Sequence, residues 1–560
     1  MIETRVFSGI HRILPQACPS TQILSFTAFA NEPLSFQVAF RADTGVIPFY
    51  IRIDSALPLA MYAEKCVAVP HMANTVVSDA PKAGMIPDIL LKKQVNPPIE
   101  RQTFLDQVLF YEKGETTHLH AYDDSWQAVW LTVNEQETPL KAGEYVLHLQ
   151  FCARDGAACV GEATVTVRIL ADMLPPQQLY YTNWFHCDCL ADHYGVDIFS
   201  DRFFEIFERH VRVAAQNGMN MLLTPAFTPP LDIPDGGERQ TAQLVGVCLE
   251  NGVYTFDFSL MKRYLDVAKR AGISYFEHAH LFTQGGATAA PKIMATVDGE
   301  YRRIFGFDTK ADGAAYTAFL HAYLPALRAF LEKEKLFDRF LFHISDEPRA
   351  EHEAAYTAAR KVVGDALHGG MLGDALWDYA FYEKGLVDNP IVSVDTVHNF
   401  VGKCDDLWCY YTGGHVQECM SNRVYTVSHE RNRMLGTQLY FICAKGFLHW
   451  GYNYWYDWLS NGLFDPNIDP CGLNGGGGSS FIVYPAPNGD CRPSIRQKVF
   501  YMGLADMRAL QLLEMRRGRA ACEKAIEAFF GKLTMFVGPK TPEQLLAFRE
   551  AVNEWIVKEK

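Results

Sequence analysis

The sequence predicts a multidomain β plus α/β protein. An N-terminal β-sandwich is expected over residues 1–175, a (β/α)8 TIM-like barrel over 176–496, and a C-terminal helical segment over 497–560 that packs on the barrel. Three observations predict this. The first 170 residues carry short alternating segments and no long helical pattern. After residue 179 apolar strand segments alternate with amphipathic helical ones, eight strand candidates in all. The chain then closes on helical periodicity.

In the N-terminal part, strands are predicted at 34–40, 49–53, 126–133, 145–151 and 163–170, from alternation bounded by turn residues. Lys141-Ala142-Gly143-Glu144 turns into one strand and Asp155-Gly156 lies between two others. Pro175-Pro176 reads as a linker.

In the barrel part, the strand candidates are 179–185, 219–225, 273–282, 339–348, 369–374, 391–395, 407–412 and 447–454. Helices are predicted at 201–218, with Phe203, Phe204, Phe207, Val211 and Ala214 on one face and Gly218 as cap, at 259–272, and at 313–335. No G-x-G-x-x-G follows the first strand, which weakens a dinucleotide fold. The glycine run at 472–478 lacks a following Lys-Ser/Thr and reads as a loop. Further helices are expected at 495–513, 520–530 and after Thr541-Pro542.

Composition excludes several classes. Apolar residues make up 49% and charged ones 21%, which is globular. A net charge of −14 without a dense Lys/Arg cluster argues against a nucleic-acid partner. No apolar run approaches bilayer length, so no membrane partner is expected. The start, MIETRVFSGIHRILPQ, has no leader pattern, and fourteen scattered cysteines read as reduced thiols. The expected location is the cytoplasm. Cys187-Asp188-Cys189 is a C-x-C without a second pair and reads as buried thiol.

In such a barrel, reacting groups collect at the C-terminal strand ends. Those ends carry Trp184 to Asp188, Glu277 to His280, His343 to Glu347, Asp374, Asp395, Trp408 to Tyr411, and His449 to Asn453. The adjacent acids Asp346 and Glu347 stand out. One reading is a helix N-cap, because Pro348 follows. The other is a pair of carboxyl groups serving glycosidic bond cleavage, one protonating the leaving oxygen and one stabilising the developing positive charge. Burial and mutual repulsion would hold one protonated and one ionised.

The alternative is a metal-dependent barrel hydrolase. His278 and His280, two apart in a strand, would share a face, with Asp188, Asp374 or Asp395 completing the ligands. His118 and His120 read as surface loop. Ser345 is no nucleophile, because G-x-S-x-G is absent. Aromatics reach 13%, and six of the nine tryptophans fall between residues 184 and 458. They fit either a large core or a cleft of flat rings that stack on sugar C–H faces. The substrate-contacting set is read as Trp184, His186, His280, His343, Asp374, Trp408, Tyr410, Trp450 and Asn453.

HISDEP (343–348) resembles the hallmark of glycoside hydrolase family 123 and the related domain-of-unknown-function 4091 group. Further matches run in order: Ile86 to Leu90, Trp130, Ala142 to Tyr145, 183–194, 407–412, 446–455, 483–489 and 493–506. The resemblance implies a β-sandwich followed by a (β/α)8 barrel. It also implies an exo-acting β-N-acetylgalactosaminidase that retains configuration by substrate assistance. Carried over, Asp346 stabilises the acetamido group and Glu347 is general acid, then base. No metal or cofactor is then required, and the partner is a small oligosaccharide or glycoconjugate. The sequence departs from relatives at GGGGSS (475–480), where they often carry a more acidic loop. A non-catalytic glycan-binding protein is the third reading. The oligomeric state stays open, a homodimer among the options.

Overall fold

Alternating burial along the N-terminal strands sorts them into two five-stranded sheets in the computed structural model, which describes residues 1–70, 84–96, 119–153, 158–234, 237–417, 419–472 and 477–558. The first sheet orders Ile2–Ser8, Leu34–Ala42, Gln127–Val133, Leu59–Val69 and Gly84–Lys93. The second orders Ser25–Phe29, Cys159–Leu170, Gly143–Ala153, Val46–Asp54 and Leu119–Tyr122. Leu147, Leu149 and Phe151 are buried while Val146 is exposed, the period-two pattern of a half-buried strand. Both sheets feed one apolar core, in which Phe40 meets Phe49 at 5.1 Å and Phe151 at 5.8 Å. All five strands expected here form. The strands at residues 2–8, 25–29, 59–69, 84–93 and 119–122 escaped the sequence reading. The Asp155-Gly156 turn, His118 and Gly475 to Gly476 lie outside the described residues.

The eight strands expected in the second part close into a parallel barrel: Tyr180–Asn183, Met221–Thr224, Tyr275–His278, Phe340–Phe342, Met371–Leu376, Asn389–Ser393, Trp408–Tyr410 and Gly446–His449. The predicted helices appear at Asp201–Gln216, Ser259–Ala271 and Ala314–Lys333. Ser200 caps the first by accepting from the Phe203 amide at 3.2 Å. Gly272, at φ 116°, ends the second in the left-handed conformation. The connections after the second and third barrel strands also form a four-stranded sheet, Val253–Asp257, Gly246–Glu250, Ile293–Val297 and Glu300–Phe305. Its segments are short and half exposed, and the sequence reading left them as connection.

The inward side chains stack in layers. At the floor, Tyr180 stacks on Trp408 at 5.2 Å and meets Tyr275 edge-on at 4.8 Å. Gly446 makes room: a Cβ there would lie 2.0 Å from the Trp408 ring. Outward residues such as Phe276, Phe340 and Phe342 join the larger core beneath the helices.

Helix Ile495–Arg517 ties the parts together. It crosses helix His429–Phe441 where Gly436 faces Gly503, so closely that a Cβ on Gly436 would lie 1.8 Å from the Gly503 carbonyl oxygen. Three of its cations reach acids of the N-terminal unit: Arg496 to Asp88 at 3.0 Å, Lys498 to Glu135 at 2.8 Å and Arg508 to Glu137 at 3.0 Å. Asp88 and Arg496 are both buried, and Tyr484 also donates to Asp88 at 2.5 Å. Removing one partner alone would leave a buried charge uncompensated. Helices Arg519–Phe530 and Pro542–Val557 complete the tail. No helix among the described residues is long and apolar enough to cross a membrane.

Candidate active site

The fourth barrel strand ends at Phe342, and the chain then runs His343, Ile344, Ser345, Asp346, Glu347 across the barrel mouth. The strand is only three residues long because Asp374 takes over the backbone donors beyond it. Its carboxylate accepts from the Ile344 amide at 2.9 Å, the Ser345 amide at 3.2 Å and the Tyr356 hydroxyl. Asp346 and Glu347 are thereby aimed by a buried acid.

The two neighbours turn to different partners. Asp346 is buried, and its Oδ2 accepts from Gln284 Nε2 at 2.8 Å, on the loop after the third strand. Glu347 Oε1 accepts from the Tyr410 hydroxyl at 2.6 Å, at the end of the seventh strand. Trp377 in turn donates its indole N–H to Tyr410. Glu347 holds a left-handed φ of 47°, unfavourable for a residue with a Cβ, while its amide donates to the Ala375 carbonyl at 3.0 Å. Burial raises the Asp346 pKa well above the usual carboxylate range, and the Glu347 charge adds to it.

Beneath the pair lies a charged layer. Glu277 accepts from Trp184 Nε1 at 2.9 Å, from His343 Nε2 at 3.0 Å and from the Thr182 hydroxyl. His343 Nδ1 lies 3.5 Å from Asp374. Burial alone would lower the His343 pKa, but the neighbouring Asp374 and Glu277 raise it to about 9. An imidazolium clamped between two carboxylates results. His280 stacks on it at 4.5 Å and meets the Trp184 ring edge-on at 5.1 Å. Burial and the His343 charge keep His280 neutral, and both its ring nitrogens are buried without a hydrogen-bond partner among the described residues.

The His278–His280 pair does not form. The third strand ends at His278, with Glu277 turned inward and His278 outward. His278 meets Tyr323 of helix Ala314–Lys333 through Nε2 at 2.8 Å. Asp188 is also committed elsewhere, to Arg239 through contacts of 2.7 and 2.8 Å. Asp395 accepts from the Ser393 hydroxyl. Among the described residues, His280, His343 and Asp374 are the group that could hold an ion, with ligand atoms within 4.8 Å of one another. There the protonated His343 already supplies positive charge, and Asp374 is bonded to three donors.

Several other expected contacts are placed differently. Trp408 starts its strand, so it lies in the barrel floor away from the mouth. Asn453 uses its whole amide on His186, accepting from the backbone N–H at 2.9 Å and donating to the carbonyl at 3.1 Å. His186 bonds the Trp450 carbonyl at 3.0 Å through Nε2 and Arg239 at 3.2 Å through Nδ1. Asp374 and His343 are fully enclosed and act on the chain around them. Tyr410 and the half-buried Trp450 remain beside the mouth, while Trp184 and His280 are buried in the layer beneath the acid pair. Gln284, Trp377 and Glu277 were not singled out from sequence. Glu277 was within reach of strand alternation; Gln284 lies in a loop with no pattern.

The family model of the glycoside hydrolase 123 catalytic domain matches residues 184–513, the segment that holds all of these groups except Thr182. The chain belongs to glycoside hydrolase family 123. It is a glycoside hydrolase. A solved family 123 enzyme from Clostridium perfringens, described in terms of glycolipid glycan hydrolysis, superposes with a TM-score of 0.72 at 11% identity. That match covers 100% of this chain and 98% of the other. A family 39 glycoside hydrolase from the gut symbiont Bacteroides cellulosilyticus WH2 matches with a TM-score of 0.33 at 8% identity, over 88% of this chain and 83% of its own. No curated protein matches the sequence.

Proposed function

We propose that this glycoside hydrolase releases a terminal β-linked 2-acetamido sugar, N-acetylgalactosamine first among them, from an oligosaccharide or glycoconjugate. Configuration is retained by substrate assistance. The observation that carries the reading is the divergence of Asp346 and Glu347 toward Gln284 and Tyr410. It lets adjacent acids serve the 2-acetamido group and the glycosidic oxygen of one sugar.

In the first step the acetamido carbonyl oxygen attacks the anomeric carbon. Glu347 gives its proton to the glycosidic oxygen as that bond breaks, and the aglycone leaves as an alcohol. The oxazolinium so formed directs its N–H to the Asp346 carboxylate, which accepts that hydrogen bond. In the second step Glu347 takes a proton from water, whose oxygen attacks the anomeric carbon and reopens the ring to the acetamide. Trp184, His280 and Trp450 line the sugar. No metal or cofactor enters.

The N-terminal sheets are read as a β-sandwich. The division at about 1–175, 176–496 and 497–560 and a cytoplasmic setting belong to the same reading. Hydrolysis of aryl β-N-acetylgalactosaminide, glucosaminide and plain galactoside tests it. The first should be cleaved best. Cleavage of the galactoside alone would sink the proposal, because that sugar has no acetamido nucleophile.

A further inference from the structure

Another polar network stands at the barrel mouth, on the side that Glu347 faces. The sixth strand, Asn389–Ser393, pairs with the seventh so that Ser393 lies level with Tyr410. Ile391 belongs to the cluster inside the barrel and Val392 to the core outside it, so Ser393 faces inward, where it is fully buried. Two residues on, Asp395 turns its carboxylate back over Ser393 and accepts from that hydroxyl.

His415, on the loop after the seventh strand, completes the network. Its Nδ1 accepts from the Thr412 amide at 2.9 Å, so in the neutral ring the proton is on Nε2. Nε2 then donates to the Ser393 oxygen at 2.9 Å, and the hydroxyl proton of Ser393 goes to Asp395 Oδ1. Nε2 itself lies 3.6 Å from Oδ1. This direction is the reverse of what a serine nucleophile needs, because the imidazole donates to the hydroxyl. The network aims a carboxylate instead. Among the described residues both contacts fall on Oδ1, and the side chain is 42% exposed, so Oδ2 is open to a ligand.

The network reaches the acid pair through Tyr410. The His415 ring meets the Tyr410 ring edge-on at 6.1 Å, and the Tyr410 hydroxyl bonds Glu347 at 2.6 Å. Asp346 looks the other way, to Gln284 beyond the third strand. Glu347 serves the glycosidic oxygen, so the side of the mouth it faces is where the leaving group departs. A sugar there offers several hydroxyl donors, and an ionised carboxylate is a strong acceptor for them.

We infer that Asp395 binds hydroxyl groups of the sugar on the leaving side of the cleaved bond, with Ser393 and His415 as its positioning residues. The enzyme then selects a sugar aglycone over an alkyl one. This rests on the reading of Glu347 as the general acid.

The experiment measures kcat/KM on wild type, Asp395→Ala and Ser393→Ala. One substrate is cyclohexyl β-N-acetylgalactosaminide, whose aglycone has a sugar's ring size and no hydroxyl. The others are β-N-acetylgalactosaminyl-galactose disaccharides linked through the 3-, 4- or 6-hydroxyl. On wild type at least one disaccharide should exceed the cyclohexyl glycoside about 10–100-fold. Asp395→Ala should abolish that preference and leave the cyclohexyl glycoside within about threefold of wild type. Ser393→Ala keeps the carboxylate but frees it, and should narrow the preference several-fold. Equal losses on both kinds of substrate, or none on either, would overturn the proposal. So would a wild type that cleaves the cyclohexyl glycoside as well as every disaccharide, an arm that needs no variant to fold. Wild type inactive on all of these N-acetylgalactosaminides would instead overturn the substrate reading, and this proposal with it.

Discussion

Tyr410 donates its hydroxyl to Glu347 at 2.6 Å, a bond between the end of the seventh barrel strand and the residue beyond the fourth. It fixes the carboxyl group whose backbone is left-handed, so the side chain has one supported direction. Tyr410→Phe should lower kcat/KM about 10–100-fold. Steady-state kinetics check this, with a thermal midpoint near wild type showing that the barrel is intact.

Glu347 is given the protonation of the leaving oxygen, so the cost of losing it depends on the leaving group. Glu347→Gln should slow release of an alkyl alcohol or sugar about 100–10,000-fold and that of a dinitrophenolate much less. A loss of equal size on both substrates would move the proton to another residue.

The clamp of His343 between Glu277 and Asp374 makes stability pH-dependent. The folded pKa, about 9, is above the ordinary imidazole value of 6.5. Its contribution is therefore complete below about pH 6.5 and lost as pH rises through 9. It is on the order of 1–3 kcal/mol. Denaturant melts at pH 6.5 and 9.5 should show this loss in wild type and a smaller one in His343→Gln.

Much of this was legible in the sequence, for physical reasons. The eight barrel strands are apolar runs separated by helical or turn segments, and all eight appear in place. The N-terminal strands that were missed, among them the eleven-residue Leu59–Val69 inside its sheet, and the four-stranded sheet lack a clear period. The Asp346-Glu347 pair is visible as two adjacent letters. The duties of Asp374, Asn453 and His186 are not, because their partners are backbone groups and side chains as far as 267 residues away. Alternation failed for His278 and His280 because the strand ends between them.

Trp408 and Trp450 test the correction directly. Trp408→Ala should cost about 3–5 kcal/mol of stability by opening a cavity in the floor. KM should move little in the protein that stays folded. Trp450→Ala should raise KM several-fold with a smaller loss of stability, as a ring at the mouth would.

The central claim is that the substrate's own acetamido oxygen is the nucleophile, with Asp346 as its support. The most direct measurement is kcat/KM for aryl β-N-acetylgalactosaminides whose acetyl group carries zero to three fluorines, on wild type and Asp346→Asn. Each fluorine weakens the carbonyl oxygen. The account predicts a steep fall across the series on wild type, and rates reduced at least about 100-fold by Asp346→Asn on the unfluorinated substrate. A flat series, with full activity retained by Asp346→Asn, would contradict it.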